Sequence, residues 1–444
     1  MIALFTAGVS CKMWRVIISV SLAIAIATAS SSPYVNDIED LLKAGDGRYS
    51  DDVQEDARLS VPELIEKYRY PIEVHHVTTE DGYTLEMHRI PHGRDANSNP
   101  DSDRPLIFLM HGLLCSSADW VLMGPGKGLA YILAEEGYDV WMGNARGNFY
   151  SRKHLSLNPD ALLNTNFWRF SWDEIGNIDL PTMIDYVLAH TGRSRLHYIG
   201  HSQGTTSFFV MTSLRPAYND KIISMHALAP VAYMAHNRNP LFLVLSPFST
   251  SLEQITSLIG IGEFLPNSMI MTWAGQALCR DEVLFQPICS NIIFLIGGWN
   301  ENQLNNTMLP VIFGHTPAGS SVRQLAHYGQ GISGNRFRRY DQGSWLANRR
   351  AYGSRTPPNY DLSKVTAPVF LHYSDSDPLA DVRDVDRLFA ELGRPVGKFR
   401  IAMSSFSHTD FMWGIDAKQL VYDRVINLIN SMEIHGFDEV LADM

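Results

Sequence analysis

The chain has 444 residues with 36 Lys and Arg against 47 Asp and Glu, a formal net charge of -11, and 45% of its residues are hydrophobic. That length exceeds one small core and predicts a large α/β domain carrying an insertion, while the hydrophobic share suits a packed globule. The acidic balance argues against nucleic acid, whose phosphates call for a basic surface, and leaves apolar contact as the way to meet lipid.

Arg15 precedes the apolar stretch Val16–Ile26, and Ala27-Thr28-Ala29 follows it. A basic flank, a short apolar run and a small-residue cleavage site predict a secretory signal peptide over 1–29, too short for a comfortable membrane span. Residues 30–67 are polar, with Asp37, Asp40, Asp46, Asp51, Asp52 and Asp56, and read as a loosely ordered leader or propeptide. The segment 72–90 reads as a hairpin whose turn is Asp81-Gly82. From there to 232, apolar runs alternate with helical segments, the pattern of a mainly parallel sheet. Leu106–Met110 is one such strand, and His111-Gly112-Leu113-Leu114 follows it directly. Leu180–Gly192 predicts a helix, with Pro181 in its first turn, a stripe of Leu180, Ile184, Val187 and Leu188, and Gly192 as its stop.

The run Leu196–Ile199 leads into Gly200-His201-Ser202-Gln203-Gly204, and Thr205–Leu214 can continue as a helix. Strand, G-x-S-x-G, helix is the setting of a nucleophile elbow, in which a sharp turn lifts Ser202 out of the sheet edge. A serine hydroxyl needs a base, and the base needs an orienting carboxylate. Downstream, in the order such enzymes use, 367–373 reads as a strand ending in Ser374-Asp375-Ser376-Asp377-Pro378. A second strand over 399–403 leads to the loop containing His408. Spacing leaves Asp375 and Asp377 both open as the acid. The oxyanion of an acyl-transfer intermediate needs backbone donors, expected at Gln203 after the nucleophile and at Leu113, where Gly112 lets the chain turn inward.

The stretch 233–360 breaks the strand–helix alternation and separates the Ser202 half from the Asp/His half. Its apolar runs, Pro240–Leu245 and then Ile255, Leu258, Ile259, Ile261, Phe264 and Leu265, predict a cap whose exposed part marks an interaction site. The core is therefore expected over 68–232 and 361–444, with a C-terminal helix packing Val421, Val425, Leu428 and Ile429 on the sheet. The pair His75-His76 lacks carboxylate or Cys spacing for a metal, and neither metal nor cofactor is expected. In a secreted chain Cys279 and Cys289 can close a loop contributing roughly 2–3 kcal/mol. Cys115 reads as a buried free thiol, and Asn305-Asn306-Thr307 is a glycosylation sequon at Asn305.

These motifs, together with Gly143-Asn144-Ala145-Arg146-Gly147-Asn148, Gln203-Gly204-Thr205-Thr206, Pro317-Ala318-Gly319-Ser320-Ser321 and Asp377-Pro378-Leu379-Ala380-Asp381, occur in order from Tyr68 to Ile429. In this the chain resembles the acid lipases, the family of gastric, lingual and lysosomal acid lipases and insect members. The resemblance implies an α/β-hydrolase fold, mainly parallel in its sheet, with an inserted cap. It implies Ser202 as nucleophile, Asp377 rather than Asp375 as acid, His408 as base, Leu113 and Gln203 as oxyanion donors, and a Cys279–Cys289 disulfide. The expected activity is that of a secreted or lysosomal lipase acting on esters of neutral lipids, triglyceride or cholesteryl ester, at a lipid–water interface. A monomer without nucleic acid partner or integral membrane span is expected. Two alternatives remain: an esterase for short soluble esters, and a lipase-like protein that binds lipid without catalysis.

Overall fold

The computed structural model describes residues 50–94, 103–161, 164–266, 297–298 and 300–442. The hairpin expected at the start is present: β1 (Glu73–Thr78) pairs antiparallel with β2 (Tyr83–Ile90), and Gly82 makes the turn at φ +96°. Next come β3 (Leu106–Met110), β4 (Asp139–Gly143), the short β5 (Lys153–His154), β6 (Leu196–His201) and β7 (Ile222–Leu228). Among its described residues, the inserted stretch holds the two-residue strands β8 (Glu263–Phe264) and β9 (Ser320–Ser321), which pair with each other. The main sheet is completed by β10 (Val369–Tyr373) and β11 (Pro395–Arg400).

The main sheet runs β1-β2-β4-β3-β6-β7-β10-β11, with β5 on β2. Every pairing from β4 to β11 is parallel, and only the β1, β2 and β5 pairings are antiparallel. This is the expected α/β-hydrolase sheet. Both faces are covered, and side-chain alternation sorts each strand between two cores. Leu106, Phe108 and Met110 point into the core containing Trp141 and Tyr198, while Ile107 and Leu109 point into the core of Ile199, Val421 and Val425. The chain leaves β3 for β4 on one side and later returns as β6 on the other. The carboxyl ends of β3 and β6 are thus a topological switch point, where open α/β sheets place their ligands.

Two local expectations differ from what is observed, and one helix is preceded by further helical structure. Residues 51–67, expected within a loose leader, form the helices Asp51–Asp56 and Val61–Lys67. Val61, Leu64 and Ile65 are fully buried behind a capping box in which Ser60 N–H donates to Glu63 Oε2 at 2.8 Å. The abundant aspartates mask this short i, i+3, i+4 stripe in the composition. His315 Nε2 also donates to the Asp56 carbonyl at 3.1 Å, tying the first helix to the inserted stretch.

Pro181 lies in the first turn of the helix Leu180–Thr191 and Gly192 caps its end at φ 68°, as expected, but further helical structure precedes it. Helical structure begins at Trp172 and passes through a π turn over Ile175–Asp179 before Leu180–Thr191. A proline inside a helix removes a donor, and the wider π turn just before it accommodates the ring. The last strand covers 395–400 rather than 399–403. As an edge strand it can open on Pro395, which owes no ladder donor there.

The π turn presents Asp179 to Arg146, a guanidinium only 1% exposed at its side chain. Arg146 Nε and Nη2 reach Asp179 Oδ1 at 2.8 and 2.6 Å, and Nη1 reaches Asp81 Oδ2 at 2.6 Å. The same group lies 4.0 Å from the Tyr83 ring centre. One buried cation thereby locks the hairpin turn, the loop after β4 and the long helix. Burial raises the Asp179 carboxyl and Arg146 opposes that rise. Arg146→Met will therefore destabilise the fold by about 3–5 kcal/mol at neutral pH, because it strands a buried carboxylate. The loss will shrink as pH falls and Asp179 takes up a proton, which urea unfolding at pH 5 and 7.5 will read directly.

Candidate active site

Ser202 stands between β6 and the helix Gln203–Leu214 with φ 51° and ψ -115°. A side-chain-bearing residue rarely adopts such a backbone, and strain of this kind marks functional turns. The flanking glycines are required by close approach. A Cβ on Gly200 would lie 2.8 Å from the Gly204 carbonyl carbon, and one on Gly204 would strike the Met110 carbonyl oxygen. Thr205 and Thr206 fix the turn: Thr205 Oγ1 donates to the Ser202 carbonyl at 2.6 Å, and Thr206 Oγ1 to the Val231 carbonyl at 2.7 Å. Gln203 opens the helix, so its N–H has no partner within the helix and faces the turn.

Asp377 and His408 meet, although they lie on separate loops after β10 and β11. His408 Nδ1 is 2.7 Å from Asp377 Oδ2, and Asp377 Oδ1 accepts from Leu379 N–H at 2.8 Å and Ala380 N–H at 2.9 Å. Burial acts to raise the Asp377 carboxyl, but His408 and those two amides hold it below its ordinary value. With a carboxylate facing it, Nδ1 carries the proton and Nε2 is left as the basic nitrogen. Asp375, two residues earlier, instead faces solvent and bonds Arg400 Nε through both oxygens at 2.9 Å. The acid loop is held from the inserted stretch by Arg238, whose Nη2 donates to the Asp377 carbonyl at 2.9 Å.

Several positioning groups were not singled out by sequence reasoning. His111 Nδ1 donates to the Gly112 carbonyl at 2.7 Å, while its Nε2 accepts from Ala145 N–H at 3.1 Å and Asn148 Nδ2 at 3.2 Å. Burial lowers its pKa to about 4, so it stays neutral and clamps the Gly112-Leu113 turn to the loop after β4. His201 is held in the same way, lowered to about 3, with Nε2 donating to the His408 carbonyl at 3.0 Å. Asp410 accepts from Ser407 N–H at 2.6 Å and from Asn300 Nδ2 at 2.7 Å, shaping the loop that carries His408. The motif around Asn144 and Asn148 was visible in sequence, but nothing local says which group each asparagine would hold.

Ser202, His408, Leu113 and Gly112 line one cleft. Its wall is largely apolar, with Val231, Leu379, Met412 and Trp413 from the core and Met234, Phe242, Pro317 and Tyr328 from the inserted stretch. Phe242 is buried on the helix Pro240–Leu245, while Leu243, Val244, Ile255, Leu258 and Ile259 are exposed, Leu258 at 83%.

Of the remaining expectations, residues 1–29, Cys279 and Cys289 lie outside the described residues. Cys115 is buried and free. Asn305 Oδ1 accepts from Thr307 N–H at 3.2 Å at the start of a short turn. His75 meets Glu73 and His190, with ligand-capable atoms within 4.8 Å of one another, but Glu73 also pairs with Arg89 at 2.8 Å. Among the described residues no helix is long and apolar enough to cross a membrane.

Residues 61–124 match a family described as a partial alpha/beta-hydrolase lipase region, and residues 105–253 match the alpha/beta hydrolase fold. Lipase 1 of Drosophila melanogaster is 45% identical over 383 residues, 86% of this chain and 82% of that protein. Gastric triacylglycerol lipase of Rattus norvegicus is 38% identical over 374 residues, 84% of this chain and 92% of that protein. The human gastric enzyme is 37% identical over 372 residues, 84% of this chain and 91% of that one.

Proposed function

The chain belongs to the acid lipase family of α/β-hydrolases, and we propose that it hydrolyses triacylglycerol and related neutral-lipid esters through Ser202, His408 and Asp377. The observation that carries this reading is the buried Asp377–His408 hydrogen bond opening on the same apolar cleft as the strained Ser202.

The ester carbonyl sits over Ser202, and His408 Nε2 takes the serine proton as Oγ attacks. Asp377 stabilises the resulting imidazolium and keeps its orientation. The N–H groups of Leu113 and Gln203 receive the developing oxyanion. His408 then passes its proton to the departing alcohol, and water, activated by the same histidine, releases the fatty acid from Ser202. Each step uses only side chains and backbone of this chain.

The substrate class follows from the cleft and the inserted stretch. Burial contributes about 0.8 kcal/mol per methylene, so an apolar wall favours long acyl chains. The exposed Leu243, Val244, Ile255, Leu258 and Ile259 suit contact with a lipid surface. We assign 233–360 as the cap, between core segments 68–232 and 361–444. A secreted or lysosomal monomer, its signal over 1–29, a Cys279–Cys289 bridge and a glycan on Asn305 complete the reading. Cholesteryl ester is the second neutral-lipid candidate.

The test compares emulsified triolein and cholesteryl oleate with soluble p-nitrophenyl acetate. Emulsified long-chain ester is expected to be the better substrate, and exclusive turnover of the soluble ester would establish the short-ester alternative. Replacing Leu243, Leu258 and Ile259 together by serine will lower the triolein rate about tenfold and change the soluble rate less than about twofold, because only the emulsion must be met through that surface. Equal losses on both would show the surface to be structural.

A further inference from the structure

Exposure alternates along the edge strand β1: Glu73, His75 and Val77 are half-buried, while Val74, His76 and Thr78 face solvent. Alternation separates the two neighbouring histidines and unites residues two apart. His76 pairs with Glu86, with Nε2 3.0 Å from Oε2. His75 meets Glu73, with Nε2 2.8 Å from Oε2. The helix Leu180–Thr191 brings Tyr186 and His190 to the same place, since residues four apart share a helix face. The Tyr186 hydroxyl lies 3.0 Å from His75 Nδ1, and the His190 and His75 ring centres are 4.8 Å apart. Glu73, His75 and His190 thereby each offer one ligand-capable atom within 4.8 Å of the other two.

The local charge suits a cation. Arg89, opposite Glu73 on β2, donates from Nη1 to Glu73 Oε2 at 2.8 Å, but its Nε and Nη2 are engaged by both oxygens of Asp139 at 2.9 and 2.7 Å. Asp139 neutralises the guanidinium, so Arg89, Asp139 and Glu73 together leave one negative charge. Burial acts to raise the Glu73 carboxyl, and Arg89 and His75 hold it below its ordinary value, so it is ionised at neutral pH. Burial and the neighbouring His75 and Arg89 lower the His190 pKa, which favours the neutral imidazole that a metal takes. A carboxylate oxygen and imidazole nitrogens are the donor set of zinc. When His75 Nε2 binds an ion its remaining proton sits on Nδ1, where the Tyr186 oxygen accepts it, the outer hydrogen bond that a ligating histidine uses. Trp141 supplies an apolar wall, its ring centre 4.6 Å from that of His75 and 5.6 Å from that of His190.

We propose that Glu73, His75 and His190 form a zinc-binding site, completed by water, which fastens the edge strand β1 to the helix Leu180–Thr191. With bonds of about 2.1 Å, the ligand atoms around a tetrahedral ion lie roughly 3.4 Å apart. The His75–Glu73 pair is already near that spacing, and the exposed His190 closes the rest by rotating its side chain. None of the three lines the cleft of Ser202, so the ion acts on stability and leaves the ester chemistry untouched. The adjacent histidines concealed the site in sequence: His75 takes its partners two residues back and far along the chain, and His76 takes no part.

Titration calorimetry of the chelator-stripped full-length protein with zinc chloride at pH 7.5 tests it. One ion per chain should bind with micromolar affinity or tighter, and a hundredfold excess over Kd should raise the thermal unfolding midpoint by about 3 °C. His75→Ala and His190→Ala should each weaken binding by about tenfold or more and remove the thermal shift. His76→Ala should change neither, and it controls for loss of a histidine from the same strand. Circular dichroism of the metal-free variants reports folding; if His75→Ala fails to fold, His190→Ala, at the exposed helix end, decides. The absence of a one-to-one zinc complex in wild type would overturn the site. Binding that survives His190→Ala undiminished, or that His76→Ala weakens equally, would place the ion elsewhere and overturn it as well.

Discussion

Ser202→Ala will lower ester hydrolysis by about four orders of magnitude or more, leaving only what the oxyanion donors and the cleft contribute. The prediction rests on placement. The elbow holds Ser202 at φ 51°, its flanking glycines admit no Cβ, and among the described residues the cleft it shares with His408 offers no second serine on such a turn. Cys115 also lines the cleft, but burial pushes its thiol well above the ordinary value, which removes the thiolate a substitute nucleophile would need. Stability should change little, within about 1 kcal/mol, because alanine keeps the Cβ and the same strained backbone. Ser202→Gly, which relieves that strain, should unfold at no lower urea concentration than Ser202→Ala. Fluorophosphonate labelling should vanish in both variants, and hydrolysis within tenfold of wild type in either would remove Ser202 from the mechanism.

The elbow was legible in sequence because its requirements are local: a strand, two residues without Cβ, and a helix within a dozen positions. The acid was less so. Asp375 and Asp377 share one loop, and spacing could not separate them; family resemblance favours Asp377, and the placement of the two side chains supports that proposal. Asp375 turns outward to Arg400, while Asp377 turns inward to two amides and a histidine. His111, Arg146 and Asp410 went unassigned because their partners lie far along the chain, as Asn148, Asp81 and Asn300 do. Hydrophobic periodicity carries no record of such pairings. In the inserted stretch, sequence marked the apolar run but not its division. Phe242 turns into the cleft while its neighbours Leu243 and Val244 face out, a sorting decided by how the helix Pro240–Leu245 lies over the core.

Asp377→Asn will cost about four orders of magnitude in kcat, while Asp375→Asn will stay within about threefold of wild type. An asparagine at 377 presents its amide NH2 or its carbonyl to His408 Nδ1. The two backbone N–H groups from Leu379 and Ala380 demand an acceptor at one oxygen. They therefore keep the asparagine carbonyl on their side and turn the NH2 toward the imidazole. His408 must then accept at Nδ1 and carry its proton on Nε2, where it faces Ser202 as a donor and cannot take the serine proton. Asp375 makes an exposed pair with Arg400, and such pairs contribute at most about 1 kcal/mol to stability. The pH dependence separates the two further. The Asp377 carboxyl is held below its ordinary value, so the stability it adds is fully present above the unfolded-state carboxylate range. That stability is lost only as pH falls through the lowered folded value. The stability difference between wild type and Asp377→Asn should accordingly be largest at neutral pH and shrink below about pH 4. Equal kinetic losses at 375 and 377, or a larger one at 375, would mean that Asp377 is not the carboxylate that orients His408.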